Sequence, residues 1–302
     1  MNYLSEAWQV LKAAGADWVD DNAARLGAAL AFYSVLSLAP LLVIAIAIVA
    51  LVFDEQAANG QILAQMQGLV GKEGALAIQA MIENAKRPDA GIIATVLGVA
   101  TLLFGASGVF GELQSALNTI WEVQPKPGRG VWGYIRDRFL SLTMVLGTGF
   151  LLLVSLLLSA GISGASQYLG DRWPGFGSVL HIANAGVSFL VVMLLFAMIF
   201  KFLPDVNVRW RDVWVGAALT ALLFTLGKLL IGLYLGNMSI GSAYGAAGSF
   251  VVLVVWIYYS AQIMFFGAEL TQVYAKRYGT KIVPKPNAVP VTHEARAQQG
   301  IA

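Results

Sequence analysis

From Leu41 to Phe53 the chain reads LLVIAIAIVALVF, thirteen residues without one polar side chain. With the apolar residues before it, this run reaches the roughly 20 residues that match the hydrocarbon thickness of a bilayer. Comparable runs recur along the 302-residue chain, which is 58% hydrophobic and 12% charged with a mean hydropathy of +0.71. A soluble domain carries about 25% charged residues, so a water-exposed surface is hard to build from this sequence. The pattern predicts an all-α, polytopic membrane protein.

Six spans are predicted: Gly27–Phe53, Gly91–Trp121, Phe139–Ala160, Leu180–Leu203, Val213–Leu235 and Tyr244–Tyr274. The second and last exceed what a bilayer needs, so each should protrude or tilt. Residues 1–26 precede them. There Leu4, Trp8, Leu11, Gly15 and Trp18 recur at helical spacing, which predicts an amphipathic helix on the membrane surface with its tryptophans at headgroup depth. The transmembrane domain then covers 27–274, and its loop 54–90 has two apolar faces, Ile62 to Val70 and Leu76 to Ile82, separated by Gly71-Lys72-Glu73-Gly74. They predict two short helices, folded over the outer mouth or resting on headgroups. Residues 275–302 turn to proline and polar filler after Gly279 and are expected to be a disordered tail.

Loop charges orient the spans. One side gathers fourteen Lys and Arg, in the N-terminus, 124–138, 201–212 and the tail; the other holds only Lys72, Lys86, Arg87 and Arg172. Positive loops stay inside, which predicts both termini in the cytoplasm. The first apolar run begins only after Asp17, Asp20 and Asp21, so no cleavable signal peptide is expected.

A net charge of +2 does not suggest a nucleic-acid partner, and the lack of cysteine excludes disulfides and thiolate metal sites. His181 and His293 are the only histidines, and no nucleotide, hydrolase or metalloprotease motif appears. The expectation is a protein that is not an enzyme, with no cofactor and no metal.

Polar residues within the spans are the candidate site. Glu112, Gln114 and Asn118 end the second span; Gln262, Glu269 and Gln272 lie at similar depth in the sixth. Two readings stand. The glutamates reach headgroups or pair with loop arginines, or the group lines a cytoplasmic vestibule, since intramembrane ionisable residues usually face a bundle interior or a watery cavity. Lys228 lies about 12 Å short of the outer end of its helix, where it snorkels or lines an outward cavity. Pro40 removes a donor mid-span, with Tyr33, Ser34 and Ser37 on the turns before it, as a structural kink or a gate. A weak echo pairs Gly27-Ala28-Ala29-Leu30 with Gly216-Ala217-Ala218-Leu219, and FGELQ with FGAELTQ. It reads as a parallel repeat or as the small residues common to membrane helices.

Four stretches, DNAARLGAALAFYSVLSLAPLL, FGELQSALNTIWEV, FLPDVNVRWRDVWVGAALTALLFTLGKLLIGLYL and SAYGAAGSFVVLVVWIYYSAQIMFFGAELTQVYAKRYG, resemble the YihY/virulence factor BrkB family of bacterial inner-membrane proteins over about Ala7 to Gly279. The resemblance implies six helices with both termini inside, and links to serum resistance and envelope integrity. An older label of tRNA-processing ribonuclease also attaches to the family, and the missing catalytic constellation argues against it. The resulting expectation is an envelope protein that moves a lipid or amphiphile between leaflets. The alternative is a non-transporting scaffold. Membrane lipids are the expected partners, with other envelope proteins or a homo-oligomer beside them.

Overall fold

The computed structural model describes residues 3–49, 108–128, 176–237, 248–279 and 282–292, with isolated positions between 60 and 82 and between 133 and 154. Helices α1 (Tyr3–Asp20) and α2 (Ala23–Val49) are joined by a turn at Asp21 and Asn22. Asn22 takes φ 53°, a left-handed conformation that asparagine tolerates and that lets the chain reverse. Helix α3 (108–120) leads into strand β1 (Val123–Pro125). Then come α4 (Phe176–Phe202), β2 (Val206–Asn207), α5 (Trp210–Asn237), α6 (Gly248–Tyr278), β3 (Val283–Pro284) and β4 (Ala288–Pro290).

Among the described residues three helical stretches are long and apolar enough to cross a membrane: Ile182–Phe202, Trp210–Leu230 and Phe250–Tyr278. The expected count of six extends into residues outside those described, including almost all of Phe139–Ala160. In the loop 54–90 nine positions are described and all are helical; Ile78 and Ile82 are buried while Leu76 is 49% exposed.

The main core joins five helices, with α2 contributing Ala23 and Leu30. Leu113, Leu117, Ile120 and Trp121 of α3 and its end pack with Phe200, Val213, Ala217, Phe265 and Ala268. A run of ring contacts, Phe200 to Phe196 to Phe224 to Trp256, links α4, α5 and α6 at centroid separations of 6.1, 5.7 and 6.0 Å.

The α5–α6 seam is closer still. A side chain at Gly216 would collide with Thr271, and one at Gly267 would collide with Thr220. The contact is reciprocal because the helices are antiparallel and each carries glycine four residues before threonine. Each threonine hydroxyl donates to its own glycine's carbonyl, at 2.7 Å from Thr220 and 2.6 Å from Thr271, so no polar atom of the knob is stranded. Without a hydrophobic drive between helices in lipid, this close approach is how packing energy is gained.

Helix α1 is not a free surface helix. Val10 and Ala14 pack on Leu270 and Val273, and Arg277 and Tyr278 of α6 bond Gln9 at 2.7 Å and Glu6 at 3.3 Å. It therefore lies antiparallel along α6. The 31 residues of α6 span about 46 Å, well beyond the hydrocarbon core, and the surplus length offers a docking face. Of the predicted stripe, Trp8 is 67% exposed and Trp18 is partly buried, so the stripe is split between two environments.

The expected disordered tail is corrected over residues 282–292. Strand β4 pairs antiparallel with β1 (Val123 to Pro290, Pro125 to Ala288), and β3 pairs with β2 (Val206 to Pro284). Proline and polar content suggested disorder, but these residues strap the helix ends instead of building a core of their own. Lys285 donates from Nζ to the carbonyls of Phe202 at 3.0 Å and Pro204 at 2.7 Å, capping α4 where a helix end favours a cation. The N-terminal helix, the end of α3, the α4–α5 connection and the strap thus gather at one end of the molecule.

Candidate functional site

The polar residues of α3 close on a loop rather than on lipid. Asp205, 2% exposed, sits where Pro204 ends α4, and its carboxylate accepts from Asn118 at 3.0 Å, Gln114 at 3.4 Å and Asn287 at 3.0 Å. Its backbone N–H returns a bond to Asn118 Oδ1 at 2.7 Å, and its carbonyl accepts from the Lys285 N–H at 2.8 Å. Asp205 thereby ties α3, the α4–α5 connection and the strap together. Gln272 of α6 donates to the Ile120 carbonyl at the end of α3. Just beyond, Glu122 adopts φ 54°, its carboxylate pairs with Lys276 at 3.1 Å, and its carbonyl accepts from Val291. Gln114 and Asn118 are therefore spent on joining elements, whereas Gln272 uses its amide N–H this way and its Oε1 is buried without a donor among the described residues.

Glu112 is not among the ionisable groups acting on Glu269. Glu112 is partly buried on α3, whereas Glu269 is fully buried on α6. The ionisable groups acting on Glu269 are Asp21, whose carboxyl lies within hydrogen-bonding reach, Asp17 one turn earlier on α1, and Lys276 two turns further along α6. Neither carboxylate oxygen of Glu269 has a donor among the described residues.

A groove of about 400 Å³ opens nearby between α1, α5 and α6, lined by Gly15, Trp18, Leu223, Tyr259, Gln262, Ile263 and Phe266. Gln262 reaches the Ala23 carbonyl of α2 at 3.4 Å; among the described residues its buried Oε1 has no donor and the buried Trp18 Nε1 has no acceptor. The groove is apolar with a polar edge, and its volume is within the range of small-molecule sites. Beside it Leu222, Leu226, Leu229 and Leu230 of α5 are exposed, so this side of the molecule faces an apolar medium. A second cavity, of about 480 Å³, lies under the strap between Trp121, Lys276, Ile282 and Pro284.

The remaining sequence candidates are not among the described residues that line the groove. Tyr33 is 41% exposed with its ring edge-on to Phe32, while Ser37 is buried facing Gly108 of α3. Helix α2 continues through Pro40, whose side chain lies outside the described residues. Lys228 is partly buried on α5, next to Gly227, which packs against Tyr259 and Ile263. Gly27 and Gly216, the two ends of the sequence echo, both pack on α6, at Gln262 and Thr271 respectively. Residues that the sequence reading passed over, Asp21, Asp205, Thr220 and Thr271, carry much of the buried polar structure.

Long apolar helices bundled around a shared core, with buried polar groups at one end, define an all-α integral membrane protein. A sequence model of the family described as Virulence factor BrkB matches residues 15–292, and the chain belongs to that family. It is similar to a UPF0761 membrane protein of Verminephrobacter eiseniae, 29% identical over 83% of this chain and 58% of the relative. A UPF0761 membrane protein of Psychromonas ingrahamii is 31% identical over 64% of this chain and 61% of the relative. One from Enterobacter sp. is 32% identical over 59% and 58%. The chain spans about half the length of the curated relatives it matches, from 40% to 65%. No solved structure matches.

Proposed function

We propose that this chain sits in the bacterial inner membrane with both termini cytoplasmic, and that it moves a lipid or amphiphile between leaflets by binding and passage rather than catalysis. The groove between α1, α5 and α6 carries this reading. It is bounded by Leu223, Ile263 and Phe266, and it is edged by the Trp18 and Gln262 polar atoms that lack partners. An acyl chain fits the apolar walls, and a polar group at the lipid's neck supplies the missing hydrogen bonds. The occupant is a lipid because the groove opens beside the exposed α5 leucines, where lipid is the surrounding medium. The excess of basic residues on the loops at the strap end supports the orientation.

The test is a fluorescent-lipid translocation assay in proteoliposomes with Leu223→Trp, which fills the groove without touching the main core. Translocation should fall at least about tenfold, equivalent to about 1.4 kcal/mol, with thermal stability retained. Wild-type translocation by a well-folded Leu223→Trp protein would sink the transport reading. The second reading, a scaffold for other envelope proteins, is favoured by the closely packed α5–α6 seam, and it predicts no translocation by wild type.

A further inference from the structure

Glu269 is fully buried on α6, and its two oxygens meet no N–H or O–H donor among the described residues. What they meet is another carboxyl. Asp21, 3% exposed at the turn between α1 and α2, reaches Glu269 within hydrogen-bonding distance, with Asp17 behind it on α1. Two carboxylates in contact away from water cannot both stay ionised, because the repulsion between like charges grows as the local dielectric falls.

Compensation from a cation is weak. Among the described residues Lys276 is the one cation acting on Glu269; its side chain is 42% exposed and is already paired with Glu122 at 3.1 Å. Neither α5 nor α2 adds a charged group to those acting on Glu269. The described residues contain no group of three or more His, Cys, Asp or Glu arranged to hold a metal ion.

We propose that Asp21 and Glu269 form a buried proton-binding site, with one proton held between the two carboxyl groups at the junction of α1, α2 and α6. The proton comes from water and supplies to Glu269 the hydrogen bond that no donor among the described residues provides. The loaded pair carries one negative charge, which Lys276 screens from the solvent side. Releasing the proton leaves two buried anions in contact, so the two carboxyls part and α1 loosens from α6. The site is a proton-dependent latch about one helical turn from Trp18 and Phe266 of the groove, and it stands whether or not the groove carries lipid.

A proton bound by the folded chain and not by the unfolded one acts as a stabilising ligand, so its contribution declines as protons become scarce. The experiment uses the full chain in nanodiscs. Infrared spectra are recorded from about pH 6 to pH 9 for wild type, Glu269→Gln and Asp21→Asn, with the melting temperature measured alongside. Either amide replaces the shared proton with an N–H donor to the remaining carboxylate. Wild type should keep the carbonyl stretch of one protonated carboxyl per chain at neutral pH; Glu269→Gln should lose it, and Asp21→Asn should shift its titration to lower pH because burial still disfavours the Glu269 anion but the neighbouring negative charge is gone. The wild-type melting temperature should fall with rising pH, and in each variant that slope should flatten. Asp21→Asn keeps the test alive should Glu269→Gln fail to fold. An acid band absent from wild type, or unchanged in both variants, would overturn the proposal. So would a melting temperature that follows sodium or potassium against N-methylglucamine at fixed pH, which would mean that a metal cation fills the site.

Discussion

Toward α5, helix α6 presents Gly267 and Thr271; toward α1 and α2 it presents Gln262, Phe266 and Glu269. On the first face every polar atom of the knob is bonded within its own helix, and the backbones approach as closely as glycine permits. On the second, buried atoms of Gln262 and Glu269 lack donors among the described residues and a groove of about 400 Å³ remains. One helix thus carries a seam whose interactions are complete and a seam with unmet hydrogen-bonding capacity. Unpaired buried polar groups cost stability, so the second seam is where a ligand or a proton has something to gain.

The comparison breaks most visibly at the complete seam. Gly216→Leu would drive a side chain into Thr271. A loss on the order of 3 kcal/mol is expected, read as collapsed yield or a much lower melting temperature in detergent. A well-folded Gly216→Leu protein would mean that the seam is not closely packed. Asp205→Ala comes next. It strands the donors of Gln114, Asn118 and Asn287 and should cost about 2 kcal/mol, with proteolysis appearing just after Tyr278 as the strap comes away. Thr271→Val is the smallest change. It keeps the shape and removes one hydroxyl bonded only to its own helix, so the expected cost is under about 1 kcal/mol. A larger loss would show that the hydroxyl bridges the helices.

Apolar run length made the membrane class legible, and the basic-residue excess grouped the segments that the structure gathers at one end. The close seam was partly legible too. Gly216 was noticed as an echo of Gly27, but its match to Thr271 depends on antiparallel register, which sequence spacing does not give. Asp205 was hidden for a similar reason. A lone acid after Pro204 reads as an ordinary loop residue until Asn118, 87 positions away, is brought against it. The strap misled because proline and polar content signals a segment without its own core, and β3 and β4 borrow theirs from β1 and β2. Asp21 belonged to an acidic stretch that only excluded a signal peptide. Its burial follows from α1 folding back along α6, a docking that the stripe of Trp8 and Leu11 did not announce.

The most direct test of the two-seam account is photolabelling by a lipid with a photoreactive acyl chain, read by mass spectrometry on the protein in bilayers. Adducts should appear on Trp18, Tyr259 and Phe266, should be competed by unlabelled lipid, and should vanish in Leu223→Trp. Thr220 and Thr271 should stay unlabelled. Adducts confined to the exposed Leu222, Leu226 and Leu229, with none in the groove, would contradict the account.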